Sequence, residues 1–238
     1  MHAIIRYYDT RRRARRLDRA AIVVAALQLM DEVGVDGLTM RRLAKQLGVT
    51  AASLYRHVRD KDELLVLLAD EIAGQVPLVR TDIAWQPALI ELAGAVRSGL
   101  LQHRDAARLM ASLPPGGVHR LNHIEAILGV LRAAGFSGRD AAWAAYHFNN
   151  LVTEFVADEV RLVTTAAQAG RTPGELQAEA RAQLRSLPRE QFPSLVEVAD
   201  ELVSDDAEAV FEFGVRLLLR GLERLGGARG DDARAPHA

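Results

Sequence analysis

Basic and hydroxyl side chains are concentrated between residues 39 and 61, in the stretch TMRRLAKQLGVTAASLYRHVRDK. These residue types donate hydrogen bonds to phosphate oxygens and to base edges. Residues 1 to 61 hold 13 Lys and Arg against 6 Asp and Glu, whereas the rest of the chain holds 17 against 25. A basic head on an acidic body indicates attraction to phosphate at one end of the molecule. The charge distribution by itself is also compatible with a solvated charged face that does not bind nucleic acid.

Apolar residues in the same stretch are spaced as two short helices joined by a tight turn. Leu43 and Leu47 share one face of a first helix, and Gly48 ends that helix. Thr50 can cap a second helix, whose inward face begins with Leu54. This arrangement predicts a helix-turn-helix, with the exposed face of the second helix in the major groove of DNA.

The composition limits the remaining possibilities. The 238 residues include no Cys, which excludes disulfides, Cys-based metal sites and thiol nucleophiles. We find no signal peptide and no apolar run long enough to span a membrane, so we expect a cytoplasmic protein without a membrane partner. Helix-forming residues predominate, strand-like alternation is absent, and we therefore predict an all-α fold.

Helical periodicity divides the chain into four parts. We predict a basic flexible arm (1–17), a three-helix DNA-binding domain (18–64), a larger helical ligand-binding and dimerisation domain (65–226) and a disordered tail (227–238). The first domain begins with an amphipathic helix from Asp18 to Val33. The predicted helices of the second cover 60–76, 85–101, 103–113, 118–134, 137–167, 194–203 and 205–225. Residues 170 to 193 are predicted to form a partly mobile excursion with a helix-like centre.

The final helix carries small residues one heptad apart, which would let a partner helix approach closely. One helix-turn-helix reads only a half-site, so we favour a homodimer contact over packing within the chain. The predicted interface residues are Val210, Phe211, Gly214, Leu218, Gly221 and Leu222.

The chain resembles the tetracycline-repressor (TetR) family of bacterial regulators most strongly over residues 17 to 65, LDRAAIVVAALQLMDEVGVDGLTMRRLAKQLGVTAASLYRHVRDKDELL. Weaker similarity continues through SGLLQHRDAARLM and AAGFSGRDAAWAA. The resemblance implies an all-helical homodimer in which three helices bind DNA, a fourth connects, and the body encloses an inducer.

By position, the resemblance assigns base reading to Arg41 and phosphate contacts to Tyr55, His57 and Lys61. Ala51 and Ala52 replace a Gln and a Pro of the family's namesake. Alanine cannot form the bidentate bond that Gln makes with adenine, so a different operator is expected. The full predicted DNA surface is Thr39, Arg41, Arg42, Thr50, Ala51, Ala52, Ser53, Tyr55, His57 and Lys61.

The body departs from the namesake at the positions that hold its drug. Met110 stands where a metal-holding His is expected, and a thioether is a poor ligand for Mg²⁺. Magnesium-tetracycline is therefore not the expected inducer, and we predict neither a metal site nor a cofactor. The predicted pocket is mainly apolar, although any one of its residues could belong to the core; it comprises Leu92, Val96, Leu100, Met110, Leu113, Ile127, Phe148, Asn149 and Asp158.

The most consistent function is a ligand-responsive transcriptional repressor that binds double-stranded DNA at a palindromic operator and is released by a small, largely apolar inducer. A DNA-binding activator or architectural protein without an inducer remains open. An enzyme or a helical small-molecule carrier is the third possibility. His119 and His123 lie four apart without the Glu of a zinc-protease motif, so we expect a surface or pocket role for them and no catalytic residue.

Overall fold

A computed structural model describes residues 17 to 232, and every regular element in that range is a helix. This confirms the predicted all-α class. The predicted arm lies outside the described residues apart from Leu17, as do residues 233 to 238 of the predicted tail. The twelve helices of the described range are α1 (Arg19–Gly37), α2 (Met40–Leu47), α3 (Ala51–Tyr55), α4 (Lys61–Gly74), α5 (Trp85–Leu101), α6 (Ala106–Ser112), α7 (Val118–Ala133), α8 (Gly138–Gln168), α9 (Pro173–Arg185), α10 (Pro193–Glu197), α11 (Ala199–Leu202) and α12 (Ala207–Asp232).

Side-chain caps fix where several of the helices begin. Each capping oxygen accepts a hydrogen bond from a backbone N–H in the first turn, which would otherwise lack a partner. The cap of α1 joins Asp18 Oδ1 to Ala21 N at 2.8 Å, and the cap of α4 joins Asp60 Oδ1 to Glu63 N at 2.8 Å. Thr39, Thr50 and Ser137 cap α2, α3 and α8 in the same way.

Two segments are more regularly helical than predicted. Within the predicted excursion at 170–193, the helix-like centre expected at 175–184 is a regular helix, α9, which opens with a capping box between Thr172 and Glu175. The final helix continues to Asp232, past the predicted start of a disordered tail at 227. Helix α12 continues through Gly226 and Gly227, although glycine has a low helix propensity.

Two apolar clusters form the core. One fills the head, formed by α1 to α3, and continues into the body, formed by α5 to α12; it joins Met30, Leu43 and Leu54 to Leu109 and Val156. The other lies between α5, α7, α8 and α12 in the body. Helix α4 packs against α1 of the head and against α5, α6 and α7 of the body, so it connects the two parts physically.

Arg97 joins three helices of the body. From α5 it donates two hydrogen bonds to Glu159 on α8, at 2.8 and 2.7 Å, and a third to Glu208 on α12. Its guanidinium carbon also lies 5.1 Å from the ring centroid of Phe211 and 6.0 Å from that of Phe155. These contacts hold α5, α8 and α12 together.

Part of the predicted dimer seam on α12 faces the chain's own interior. Phe211, only 3% exposed, and Leu222 belong to the body core, and Leu218 packs against the same core. Gly214 is half-buried beside Leu151 of α8. The prediction of an intermolecular contact is therefore wrong for Phe211 and Leu222, since a long helix needs one apolar face for its own protomer.

A second apolar face of α12 points outward. Val210 and Gly221, both predicted interface residues, are exposed there. The side chains of Phe213, which is 67% exposed, and Leu217 extend the same face at helical spacing. Exposed apolar residues grouped in this way are typical of an interface with another molecule.

Candidate nucleic-acid interface and ligand cavity

The turn between α2 and α3 has the geometry that its sequence predicts. Gly48 adopts a left-handed conformation, with φ of 67° and ψ of 30°, and its N–H bonds the carbonyls of Ala44 and Lys45. Glycine takes this conformation without a steric penalty. Ala44, one of the two residues that accept this bond, is itself buried in the core cluster.

The outward face of α3 is open. Leu54 is fully buried, whereas Ala52 and Arg56, two residues to either side of it, are exposed together with Tyr55. Ala51 and Ser53 are half-exposed at the edges of this face. The predicted DNA-facing surface of α3 is therefore accessible.

Arg56 belongs to this surface, and sequence reasoning missed it. Its Nη2 donates to Ser53 Oγ at 3.3 Å, and that oxygen lies 3.0 Å from Thr50 Oγ1. The hydroxyl chain thereby holds the guanidinium beside the recognition helix. Helical periodicity could have found it, because a residue two positions from a buried one lies about 200° around the helix.

The predicted contacts on α2 begin with a cap. Thr39 Oγ1 accepts from Arg42 N at 3.2 Å, and Arg42 Nη1 donates to the Gly37 carbonyl at 2.9 Å. Arg41 is exposed. Arg42 thus has a structural bond besides any contact with DNA, whereas Arg41 points away from the core.

Lys61 and His57 flank the start of α4. Lys61 Nζ donates to the Val35 carbonyl at 3.1 Å, which ties α4 to the end of α1, and both Lys61 and His57 are half-buried. An ammonium group has three N–H donors, so this bond leaves two for another acceptor. The nearby Asp60 carboxylate accepts the Glu63 N–H and an Arg59 N–H, and these bonds lower the pKa of Asp60.

A cavity of about 480 Å³ lies in the body, bounded by residues of α4 to α8. Its volume falls in the range of small-molecule sites, roughly 300–1,000 Å³. Eight of the predicted pocket residues line it: Leu92, Val96, Leu100, Met110, Leu113, Ile127, Phe148 and Asn149. A second recess, on the surface between α6 and α8, contains none of them.

Asp158 does not line the cavity. Its side chain is 63% exposed and forms an ion pair with Arg161 one turn further along α8. The prediction was wrong because α8 presents different faces along its 31 residues. Asp158 lies on the face away from the cavity, since Asn149 lines the cavity and nine residues advance a helix by about 180°.

Several polar residues of the cavity wall were not among the predicted pocket residues. Arg120 and His123 stand one turn apart on α7, and His123 Nε2 lies 3.0 Å from the Ala73 carbonyl. Tyr146 also lines the cavity while 63% of it is exposed, so it lies at the rim. His119, by contrast, is exposed and does not line the cavity.

Helix α4 reaches from the head to the cavity. Its first residue, Lys61, bonds the Val35 carbonyl of α1, while Ala73 near its other end lines the cavity, as does Val76 just beyond it. Movement of the cavity wall at these residues would therefore move a helix that is tied to the head.

A second connection runs from α1 to the turn before α6. Asp105 Oδ2 accepts the Val35 N–H at 2.9 Å, and His103 Nδ1 lies 3.0 Å from Asp31 Oδ2. Gly34 permits this approach, because a Cβ at that position would lie 2.8 Å from Asp105 Oδ2. The head is thus docked on the body at two places.

Two family models match the chain in the order of these parts. Residues 22–68 match the model of bacterial regulatory proteins of the tetR family. Residues 77–225 match the model described as tetracyclin repressor-like, C-terminal domain. The boundary between them falls within or just after α4.

Full-length relatives agree with both matches. The class A tetracycline repressor from transposon 1721 of Escherichia coli is 34% identical over 225 residues, which cover 91% of this chain and 99% of the relative. The class D tetracycline repressor of Escherichia coli is 32% identical over 212 residues, covering 87% and 90%.

Solved structures give the same result. The Streptomyces coelicolor TetR family protein ActR, in complex with actinorhodin, superposes with a TM-score of 0.82 at 32% identity, over 90% of this chain and 98% of ActR. A variant of TetR from Acinetobacter baumannii AYE, in complex with minocycline, gives 0.65 at 30% identity, over 88% and 95%. The chain therefore belongs to the tetR family of bacterial regulatory proteins and is a DNA-binding, ligand-responsive transcriptional regulator, not an enzyme.

Proposed function

We propose that the protein is a repressor that binds a palindromic operator as a homodimer and leaves it when a small, largely apolar inducer enters the cavity. One observation carries this proposal: α4 is bonded to the head at Lys61 and borders the cavity at Ala73. A ligand that favours a different position of this helix shifts the heads by no more than its differential affinity for the two states.

The operator contacts are proposed for the outward side of α2 and α3. Arg41 and Arg56 are exposed arginines on the two helices, and guanidinium groups bond guanine O6 and N7 in a bidentate manner. Tyr55, His57 and Lys61 suit phosphate contacts, which position the helix without reading sequence. Ala51 and Ala52 leave base reading to other side chains.

The homodimer is proposed to form through the exposed apolar face of α12. Val210, Phe213 and Leu217 supply apolar surface, and Gly221 lets a partner helix approach. A two-fold axis would place two recognition helices about one DNA turn apart, roughly 34–36 Å, and a palindrome has the same symmetry.

The inducer is proposed to be an organic molecule other than magnesium-tetracycline. ActR with actinorhodin and the Acinetobacter TetR variant with minocycline are relatives solved with a small molecule bound, which supports the cavity as the ligand site. Here the cavity wall includes Met110 and apolar side chains such as Leu92 and Val96, which cannot supply the oxygen ligands that Mg²⁺ needs.

The deciding experiment is DNase footprinting on the DNA that flanks the gene for this protein, repeated with a panel of apolar metabolites and antibiotics. We expect a protected palindrome in the absence of ligand and loss of protection with at least one compound. Equal affinity for the footprinted site and a scrambled duplex of the same composition contradicts operator recognition. Protection that no cavity-binding compound reduces contradicts induction.

A further inference from the structure

The cavity wall contains basic side chains and no acidic ones among the described residues. Of the described residues that line the cavity, Arg120 and His123 can carry positive charge, and none is an Asp or a Glu. Most of the remaining wall is apolar, as in the side chains of Ile127 and Phe148. In a low-dielectric cavity, a fixed cation favours a ligand of opposite charge.

Arg120 is buried, with only 9% of the residue exposed. Its guanidinium donates to three main-chain carbonyls at the end of α6 and just after it: Nη1 to Pro114 at 3.1 Å, and Nη2 to Met110 and Leu113 at 3.3 Å each. Asp70 on α4 attracts the group electrostatically, but its carboxylate accepts the Arg120 backbone N–H, at 2.9 Å. No carboxylate of the described residues accepts from the guanidinium itself.

Capping α6 does not use the whole guanidinium. The group has five N–H donors, and the three carbonyls occupy three of them. Nε makes no hydrogen bond with any described residue, and yet no buried side-chain nitrogen or oxygen in that part of the chain lacks a partner. Nε is therefore not sealed from solvent, and the cavity is the open space that Arg120 lines.

A buried cation bonded only to neutral carbonyls is poorly compensated. Burial disfavours its charged form, which is why the pKa of Arg120 lies below its usual value. A carboxylate or phenolate from a ligand would place an opposite charge in direct contact with the guanidinium, which Asp70 does not, and would form a hydrogen bond stronger than a neutral one.

His123 adds a second polar contact near the same place. Its Nε2 faces the Ala73 carbonyl at 3.0 Å and must act as the donor, because a carbonyl only accepts. Nδ1 is then free to accept from a ligand hydroxyl when the ring is neutral, or to donate to an anion when the ring is protonated.

We infer that the inducer is an organic anion: an apolar, ring-sized body bearing one acidic oxygen group that bonds Arg120, with His123 as a second polar contact. This rests on the proposed function of the cavity and specifies its ligand. Arg120 is then a specificity-determining residue as well as a cap for α6. A neutral compound of the same shape fills the cavity but lacks the ionic contact.

The test uses two fluorescent probes with the same aromatic body. One is 8-anilino-1-naphthalenesulfonate, which is anionic, and the other is N-phenyl-1-naphthylamine, which lacks the sulfonate. For the full-length protein we expect one site per protomer and mutual displacement of the two probes. In Arg120→Gln we expect anion affinity to fall about tenfold or more, as for loss of a charge-assisted hydrogen bond, while affinity for the neutral probe changes little. Arg120→Lys should retain part of the preference for the anion.

A second pair of variants protects the test if Arg120→Gln does not fold. Asn149→Asp adds a negative charge to the cavity wall, whereas Asn122→Asp makes the same change at an exposed position of α7 outside it. The first should weaken binding of the anionic probe selectively, and the second should leave both probes unaffected. Equal effects of Arg120→Gln or Asn149→Asp on both probes, or none on either, overturn the inference and leave the proposed ligand site intact. If neither probe enters the cavity of the unmutated protein, the inference and the proposed ligand site both fail.

Discussion

Arg108 on α6 holds the carboxylate of Asp36, at the end of α1, through two parallel N–H···O bonds of 2.8 Å each. The two side chains remain 56% and 77% exposed. An ion pair this exposed contributes little to global stability, so its effect is to orient the head on the body. It lies beside the bonds from Asp105 to Val35 and from His103 to Asp31, on the same side of the molecule.

The pair predicts a shifted titration. Hydrogen bonding to Arg108 lowers the pKa of Asp36 below its ordinary value of 3.8. A lowered folded-state pKa means that the pair is present above the ordinary value and is lost as pH falls through the folded-state value. NMR titration of the Asp36 carboxyl carbon should give a midpoint below 3.8 in the unmutated protein and a higher midpoint in Arg108→Gln. The same midpoint in both proteins would show that the pair does not persist in solution.

Arg56 predicts a change in sequence readout. Arg56→Ala should cost about 1–3 kcal/mol at one base position of the operator, because it removes the proposed bidentate guanine contact. Arg41→Ala should relax specificity at a different position. Binding to single-substitution operator libraries measures both effects, with the exposed body residue Arg189→Ala as control. Uniform weakening across all operators would instead identify Arg56 as a phosphate contact.

Lys61 predicts a change in salt dependence. Lys61→Gln keeps an N–H donor, on a side chain one atom shorter, and removes the charge of the group that bonds the Val35 carbonyl. If Lys61 also contacts a phosphate, the slope of log affinity against log salt should fall by about one, with specificity unchanged. A measured slope equal to that of the unmutated protein, with weaker binding, would mean that Lys61 acts only by joining α4 to α1.

The two faces of α12 predict two different defects. Leu217→Glu places a charge on the outward face and should convert the proposed homodimer to a folded monomer, as measured by light scattering and circular dichroism. Phe211→Ala should destabilise the protomer, by about 3–5 kcal/mol for a buried Phe. Arg216→Glu, exposed on α12 but outside the apolar face, serves as the control for added charge. A dimer that survives Leu217→Glu contradicts the proposed interface.

Gly48 predicts a conformational effect without a steric one. A Cβ at this position meets nothing within 4 Å, so the cost of Gly48→Ala comes from the left-handed backbone alone. Asn tolerates this conformation better than Ala does. Thermal unfolding should therefore rank the unmutated protein above Gly48→Asn, and Gly48→Asn above Gly48→Ala. Equal midpoints for the two variants would contradict this explanation.

Local signals made much of the fold predictable. The caps at Asp18, Thr39, Thr50 and Asp60 depend on residues within one turn, so the sequence contains the whole interaction. The helix-like centre predicted within 170–193 is α9, and the capping signal of Thr172 and Glu175 marks where it begins.

Long-range packing set the limit of prediction. Arg120 looks like a surface residue in sequence, and only the return of α6 and α7 past α4 buries it. Phe211 and Val210 are neighbours in sequence, but one faces the core and the other solvent, so the correct side of α12 depends on where α8 lies. The prediction that Asp158 lines the cavity failed for the same reason, because the sequence does not show which face of α8 borders the cavity.

Arg97 has a consequence for how two binding events are related. Arg97 lies on α5, which borders the cavity. Its side chain bonds both α8, which forms part of the cavity wall, and α12, which carries the proposed dimer face. In the proposed homodimer, a displacement of α8 caused by filling one cavity would be passed through Arg97 to α12 and so to the neighbouring subunit. Inducer titrations should accordingly be cooperative, and Arg97→Met should make the two sites independent.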